Sequence, residues 1–172
     1  MVAFSSARAA DSIETINERR AVLGLAPLPV LPKGDGSWAE HSGAFTGDFF
    51  DRTFTKRDDG FVFKFVNEGD GEKPKPYQLA YVYYTGYLED GTKFDSSYDK
   101  DQPFQFRLNG GKVIGGWQAV VSGMKVGQKV IVKIPPAFGY GDKKVGPIPP
   151  NSNLIFYMEL VALGDVKLPP GK

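Results

Sequence analysis

The chain has 172 residues, 41% of them hydrophobic, enough for one ordinary core with an appendage and not for two full domains. Twenty-one Lys plus Arg against twenty Asp plus Glu leave a net charge of +1, so the chain lacks the basic footprint of a phosphate-backbone binder, and nucleic acid drops from the expected partners. Cysteine is absent, which excludes disulfides, thiolate catalysis and cysteine zinc sites, and no apolar run reaches the roughly 18 residues of a membrane span.

In chain order, Ala7-Arg8-Ala9 has the small-x-small form of a processing site but only MVAFSS before it, and Arg19-Arg20 before AVLGLAPLPVL resembles a twin-arginine export signal interrupted by prolines. Asp11 followed by Glu14 reads as a capping box for a short helix over 11 to 23, with Ile13, Ile16 and Leu23 near one face and Gly24 as the stop. The Pro/Gly-rich stretch APLPVLPKGDGSWAEHSG is expected to be extended or irregular. Residues 1–57 therefore read as an N-terminal extension, a docking arm for a larger partner with exposed aromatics at Trp38, Phe45, Phe49 and Phe50. His41, the one histidine, lies in that arm, which excludes a histidine triad or multi-histidine metal site from the rest.

From Phe61 the period changes to two. Phe61, Phe63 and Phe65 alternate with Val62, Lys64 and Val66, and further strands are expected at 78–88, at Phe104 to Leu108, at Val130 to Ile134 and at Leu154 to Leu160. Glu89-Asp90-Gly91 is a hairpin turn signal. One helix is expected over 115–124, where Trp117, Val120, Val121 and Met124 form a single stripe. The expected fold class is α+β, an antiparallel sheet wrapped around one short helix over residues 58–164, with a C-terminal tail at 165–172.

A lone tryptophan on a short helix ordinarily fills a core. Here Gly115 and Gly116 open the helix, so Val113, Ile114 and Trp117 line a hollow at its start, where the first N–H groups lack intrahelical partners. Tyr140 sits between two glycines, and Pro147, Pro149 and Pro150 stiffen the approach to the last strand.

The ordered segments VYYTGYLEDGTKFDSSYDKDQPFQFRL, VIGGWQAVVSGMKVGQKVIVKIPPAFGYG and GPIPPNSNLIFYMELVAL resemble an FKBP-type peptidyl-prolyl isomerase from about Phe61 to Leu163. The resemblance implies a half-open antiparallel sheet around the helix and an isomerase that needs no cofactor and no metal. It implies Trp117 as the floor of a proline pocket, Tyr84, Phe104, Phe156, Val113 and Ile114 as walls, and Phe94 and Asp95 at one rim. Tyr140 would offer its hydroxyl to a substrate carbonyl, the Ile114 N–H would bind the next carbonyl, and Ile148 would close the pocket from a flap loop. Proline-containing protein clients and macrolide immunosuppressants are the implied partners; the competing reading is a non-catalytic binding subunit docked in a larger assembly through its arm. Lumenal plastid members carry long N-terminal extensions, so the thylakoid lumen is the expected compartment, with cytoplasm or periplasm as alternatives. Lys112 and Lys100 stand where the family often has Glu and Arg, and Pro147 where an aliphatic residue is common.

Overall fold

The computed structural model describes residues 12–25, 27–28 and 31–167. Among these residues seven strands form one antiparallel sheet: β1 (Thr55–Lys56), β2 (Val62–Phe65), β3 (Gln78–Leu88), β4 (Lys93–Ser96), β5 (Phe104–Arg107), β6 (Lys129–Ile134) and β7 (Leu154–Val166). Their order is β1-β2-β6-β7-β3-β4, and β5 pairs with β3 beyond the reach of β4. Helix α1 (Ile13–Val22) precedes the sheet and helix α2 (Gly115–Ser122) lies between β5 and β6. Among the described residues no helix is long and apolar enough to cross a membrane.

The five expected strands form, and the last runs on to Val166, past the boundary expected at 164. Two more were not expected. β4 (KFDS) carries no alternating signal; it is a strand because the turn at Gly91 (φ +91°) folds it back on β3. β1 comes from the extension and pairs with β2.

The inner face of the sheet carries Ala80, Val82 and Tyr84 of β3, Val130, Val132 and Ile134 of β6, and Leu154, Phe156 and Met158 of β7, packed on Trp117 and Val121 of α2. Period two places these side chains together, and the short helix seals the hollow. α2 approaches β6 closely because Gly116 has no side chain: a Cβ there would lie 2.5 Å from Ile134. Gly123 ends the helix, leaving Met124 outside it and still fully buried.

The outer face is apolar too, and the extension covers it. Ile155 and Tyr157 of β7, Tyr87 of β3 and Val62 of β2 pack with Ala39, Phe45, Phe50 and Phe54, with Trp38 and Phe49 partly buried beside them. The expected exposure of Trp38, Phe45, Phe49 and Phe50 is therefore corrected: with residues of opposite parity on β7 both apolar, bare strands would leave an aromatic surface in water, and the nearest apolar segment covers it. Aromatic edges fix the layer, with Trp38 T-shaped on Tyr157 at 5.5 Å and Phe45 on Tyr87 at 5.5 Å. Lysines at its margin lie over the rings, Lys133 at 4.7 Å from Phe50 and Lys129 at 5.4 Å from Trp38. The Tyr87 hydroxyl staples the arm backbone, donating to the Ala39 carbonyl (2.6 Å) and accepting from the His41 N–H (3.0 Å). His41 itself stacks on Phe45 at 3.8 Å.

α1 starts at Ser12, whose hydroxyl accepts the Thr15 N–H; the expected Asp11 cap lies outside the described residues. The expected apolar stripe is not a buried face, for Leu23 is 72% exposed; the side chain of Ile13 lies outside the described residues. The Asn17 amide instead ties the helix to the chain that follows, accepting from the Leu28 N–H and donating to its carbonyl.

Removing only the Tyr87 hydroxyl leaves two arm backbone groups without that partner. Tyr87→Phe is expected to cost about 1–3 kcal/mol, read as a lower urea midpoint at unchanged m. Burial holds the hydroxyls of Tyr84, Tyr98 and Tyr157 above the usual tyrosine range, Tyr157 being pushed up to about 12. In the unfolded chain these groups titrate near about 10. As pH rises past that value the unfolded state releases protons that the folded state still holds, so this stability, fully present below it, is lost on the alkaline side. Tyrosinate absorbance and loss of structure are expected to appear together as pH passes from about 10 toward 12.

Candidate functional site

Six aromatic rings meet where α2 crosses the inner face. Trp117 is fully buried, and its ring is met nearly edge-on by Tyr84 at 4.7 Å, Phe156 at 5.5 Å and Phe104 at 5.6 Å, with Phe106 tilted at 5.8 Å. Phe94 stands on Phe156 at 5.6 Å and 89°. These side chains come from β3, β4, β5, β7 and α2, so only the closed sheet brings them together. Gly86 makes the corner: a Cβ on it would lie 2.5 Å from Phe94 and 2.9 Å from Phe156. Sequence reasoning misses the part that Gly86 and Phe106 play here. A glycine inside an aromatic strand is the signal that marks a close approach.

At the rim, Asp95 has an 8% exposed side chain and three donors. Its Oδ2 accepts from the Tyr84 hydroxyl, and its Oδ1 accepts from Lys100 Nζ (3.1 Å) and from the Ser96 N–H (2.9 Å). A buried carboxylate is tolerable when its lone pairs are used in this way. Burial first, and then the adjoining Asp95, hold the Tyr84 hydroxyl protonated far above its usual range. With its oxygens engaged, Asp95 orients Tyr84 and is not placed as a free acid or base. Lys100, which stands where the family often has Arg, supplies the cation of this set.

The other flank is built from α2 and the loop after β6. Ile114 is the N-cap residue and offers no side-chain cap. Among the described residues its N–H finds no backbone acceptor. Val113 and Ile114 share a groove with Pro136, Ala137, Gly139, Tyr140, Lys143 and Val145. Tyr140 is near enough to Tyr84 to add to the upward push on its hydroxyl. Ile148 is fully buried, held by a two-way backbone bridge with Val145 (2.9 and 3.0 Å) across a turn in which Gly146 has φ +53°. Asn151 N–H donates to the Gly141 carbonyl at 2.7 Å and closes the base of this flap. The structure thus gathers the five predicted rings, Tyr84, Phe94, Phe104, Trp117 and Phe156, with Asp95 in one cluster and sets Val113, Ile114, Tyr140 and Ile148 beside it. The Trp117 indole N–H is buried and has no hydrogen-bond partner among the described residues.

The arrangement is an apolar cluster of rings with donors at its edge, beside a groove. Such a surface can desolvate a small apolar ring and hold the amides on either side; among the described residues it has no nucleophile paired with a base. The sequence profile for FKBP-type peptidyl-prolyl cis-trans isomerase matches residues 70–161. Among curated proteins, the chain is 49% identical over 89 residues to FK506-binding protein 2 of Debaryomyces hansenii, covering 52% of this chain and 66% of that protein. It is 44% identical over 111 residues to FKBP-type peptidyl-prolyl cis-trans isomerase FkpA of Escherichia coli, covering 64% and 39%. The match thus spans just under two thirds of the first relative and about two fifths of the second. Among solved structures, FkpA superposes with a TM-score of 0.61 at 40% identity over 66% of this chain and 52% of that one, and AtFKBP13 with 0.62 at 35% over 64% and 98%. With more than half its length matched by the profile, and the aromatic hollow built from that stretch, the chain belongs to the FKBP-type peptidyl-prolyl cis-trans isomerase family.

Proposed function

We propose that the chain accelerates cis-trans rotation about X–Pro bonds in protein clients, with proline seated over Trp117. The observation that carries this reading is the ring cluster of Tyr84, Phe94, Phe104, Trp117 and Phe156, packed beside Ile114 and Tyr140 of the groove.

Rotation breaks amide resonance against a barrier of about 18–20 kcal/mol. In the twisted state the carbonyl loses the charge separation that water solvates, so an apolar hollow withdraws solvation that the ground state uses and the transition state does not need. No proton need move. Aromatic walls supply the desolvation, the Tyr140 hydroxyl and Ile114 N–H orient the flanking carbonyls, and Asp95 keeps Tyr84 in place. Lys112, just before Val113 where the family often has Glu, shifts the preference at the rim toward clients with an acidic residue beside the proline. The same hollow takes a macrolide of the FK506 kind, the ligand for which several relatives are named.

The test is isomerisation of a peptide with a hydrophobic residue before proline, using the full chain with and without FK506. Catalysis inhibited by the macrolide is expected; a rate equal to the spontaneous one overturns the proposal. Tyr140→Phe is expected to lower kcat/KM about two- to tenfold, the worth of one neutral hydrogen bond. Trp117→Leu, compared on folded protein, is expected to lose more, and wild-type activity in that variant would place the reaction elsewhere.

A further inference from the structure

We infer that residues 33–40 of the extension are a brace for the pocket, in which Trp38, acting through Tyr98, positions the segment 93–101 that carries Phe94, Asp95 and Lys100. The inference rests on the function proposed above and adds to it residues from outside the span of the family profile.

The segment needs a brace. β4 is four residues long, lies at the end of the sheet order and pairs only with β3, with a shift of register between Gly86 and Tyr87. A short edge strand with few ladder bonds opens readily unless something covers it. The turn after it contains Asp101 at φ +51°, a backbone that an L residue adopts only when held. On the inner side Phe94 rests on Phe156 and Asp95 on Tyr84, contacts that belong to the pocket itself.

The outer side is held by the arm. Tyr98 stacks on Tyr83 at 4.8 Å and 11°, and Gly36 presses on it so closely that a Cβ there would lie 2.8 Å from Tyr98. The Tyr98 hydroxyl accepts from the Trp38 indole N–H (2.8 Å) and donates to Glu159 of β7 (3.0 Å). Gly34 lies flat on the Tyr83 ring, where a Cβ would come within 2.9 Å. Two ion pairs flank this core, Lys93 to Glu40 at 3.4 Å and Lys33 to Asp101 at 3.5 Å; exposed as they are, they contribute little. The chain from Trp38 through Tyr98 to Glu159, half-buried and saturated at the hydroxyl, carries the hold.

The link inward is short and stiff. Ser97, next to Tyr98, donates its N–H to the Tyr84 carbonyl (2.9 Å), and its hydroxyl accepts the Tyr84 N–H (2.8 Å). Ser96 bonds Thr85 through their hydroxyls at 2.9 Å. A shift of Tyr98 therefore moves the backbone of the residue whose hydroxyl Asp95 holds, and with it two walls of the hollow.

The decisive variant is Tyr98→Phe in the full chain, which keeps the stack on Tyr83 and deletes both hydroxyl bonds. Expected is a loss of about three- to tenfold in kcat/KM from a displaced wall, absent when the same change is made in an Asp95→Ala background, because residues acting as one unit are not additive. The chain has two tryptophans, so a 15N-1H spectrum shows two indole signals. In Tyr98→Phe the Trp38 signal must move on losing its acceptor, and the inference requires the Trp117 signal to move with it. A stationary Trp117 signal, or an equal loss of activity in both backgrounds, overturns the brace. If the wild-type chain proves inactive, the proposed function fails, and the Trp117 signal still decides the positioning. If Tyr98→Phe does not fold, Trp38→Phe removes the same bond from the arm side and leaves the Trp117 signal as the sole readout: movement supports the brace, and a stationary signal overturns it.

Discussion

The pairing of β3 with β7 is the constraint on which the rest depends. Eleven and thirteen residues long, the two strands run antiparallel from Leu88 opposite Leu154 to Gln78 opposite Val166, and both carry large apolar side chains on both faces. Their register sets Gly86 against Phe156 and Tyr84 against Met158 on the inner side, and Tyr87 against Ile155 and Thr85 against Tyr157 on the outer. From Val82 opposite Leu160 to Leu88 opposite Leu154 the ladder is unbroken, so a slip of one residue there would exchange the two sets, and this register decides both what lines the hollow and what the arm must cover. A ladder with two apolar faces is stable only between two covers. α2 is the inner cover and residues 36–54 are the outer one.

The covers differ in kind. α2 satisfies its own backbone and meets the sheet through one stripe, leaving its start uncapped beside the groove. The arm has little regular structure, so its backbone polar groups find partners elsewhere: the Tyr87 hydroxyl takes the Ala39 carbonyl and His41 N–H, the Phe45 N–H donates to the Glu89 carbonyl at 2.8 Å, and Asp35 caps the turn at Gly36–Ala39. Its proline and glycine content, which reads as a linker, serves close approach instead. Gly34 and Gly36 let the backbone lie against tyrosine rings where any side chain would collide.

The inner half of the molecule is legible in the sequence because period two and one helical stripe report directly on a single face. Spacing alone places Phe156, Met158 and Trp117 in the core, and the family resemblance then joins them to Phe94, Asp95 and Tyr140, which spacing does not connect. The outer half is harder to read. The run LIFYM has no polar alternation, the mark of a strand buried on both sides, yet a period-two reading takes only its inner set. Without an apolar outer face nothing sends Phe45 and Phe50 anywhere, and the expectation that they are exposed follows. β4 escapes because KFDS has no propensity to show; it is made by the turn before it and by its neighbours. The Trp38–Tyr98 contact spans 60 positions, and no local pattern announces such a pair.

The rotation proposed calls on no acid, base or metal ion, and that shifts the demand from chemistry to placement. A general base tolerates some motion, since a proton crosses when the geometry passes through a good arrangement. An apolar hollow that acts by excluding water fails whenever a wall opens, because solvent then returns to the carbonyl it was meant to lose. Tyr84, Phe156 and Trp117 stand on elements with strong internal support, β3 and β7 at the centre of the sheet and α2 sealed against β6, and Phe104 and Phe106 stand on β5, paired on β3 without a break in register. Phe94 stands on a four-residue strand whose ladder with β3 is shifted in register, whereas the ladder of β5 is unbroken, and it lies beside a buried carboxylate bonded to Tyr84 and Lys100. The wall with the shifted ladder is thus the one adjoining the arm, and the arm contacts from Gly34 through Trp38 to Glu40 converge on it. An extension that served only to hide the outer face would need no hydrogen-bonded chain aimed at that turn; one that also stiffens the hollow would place it there.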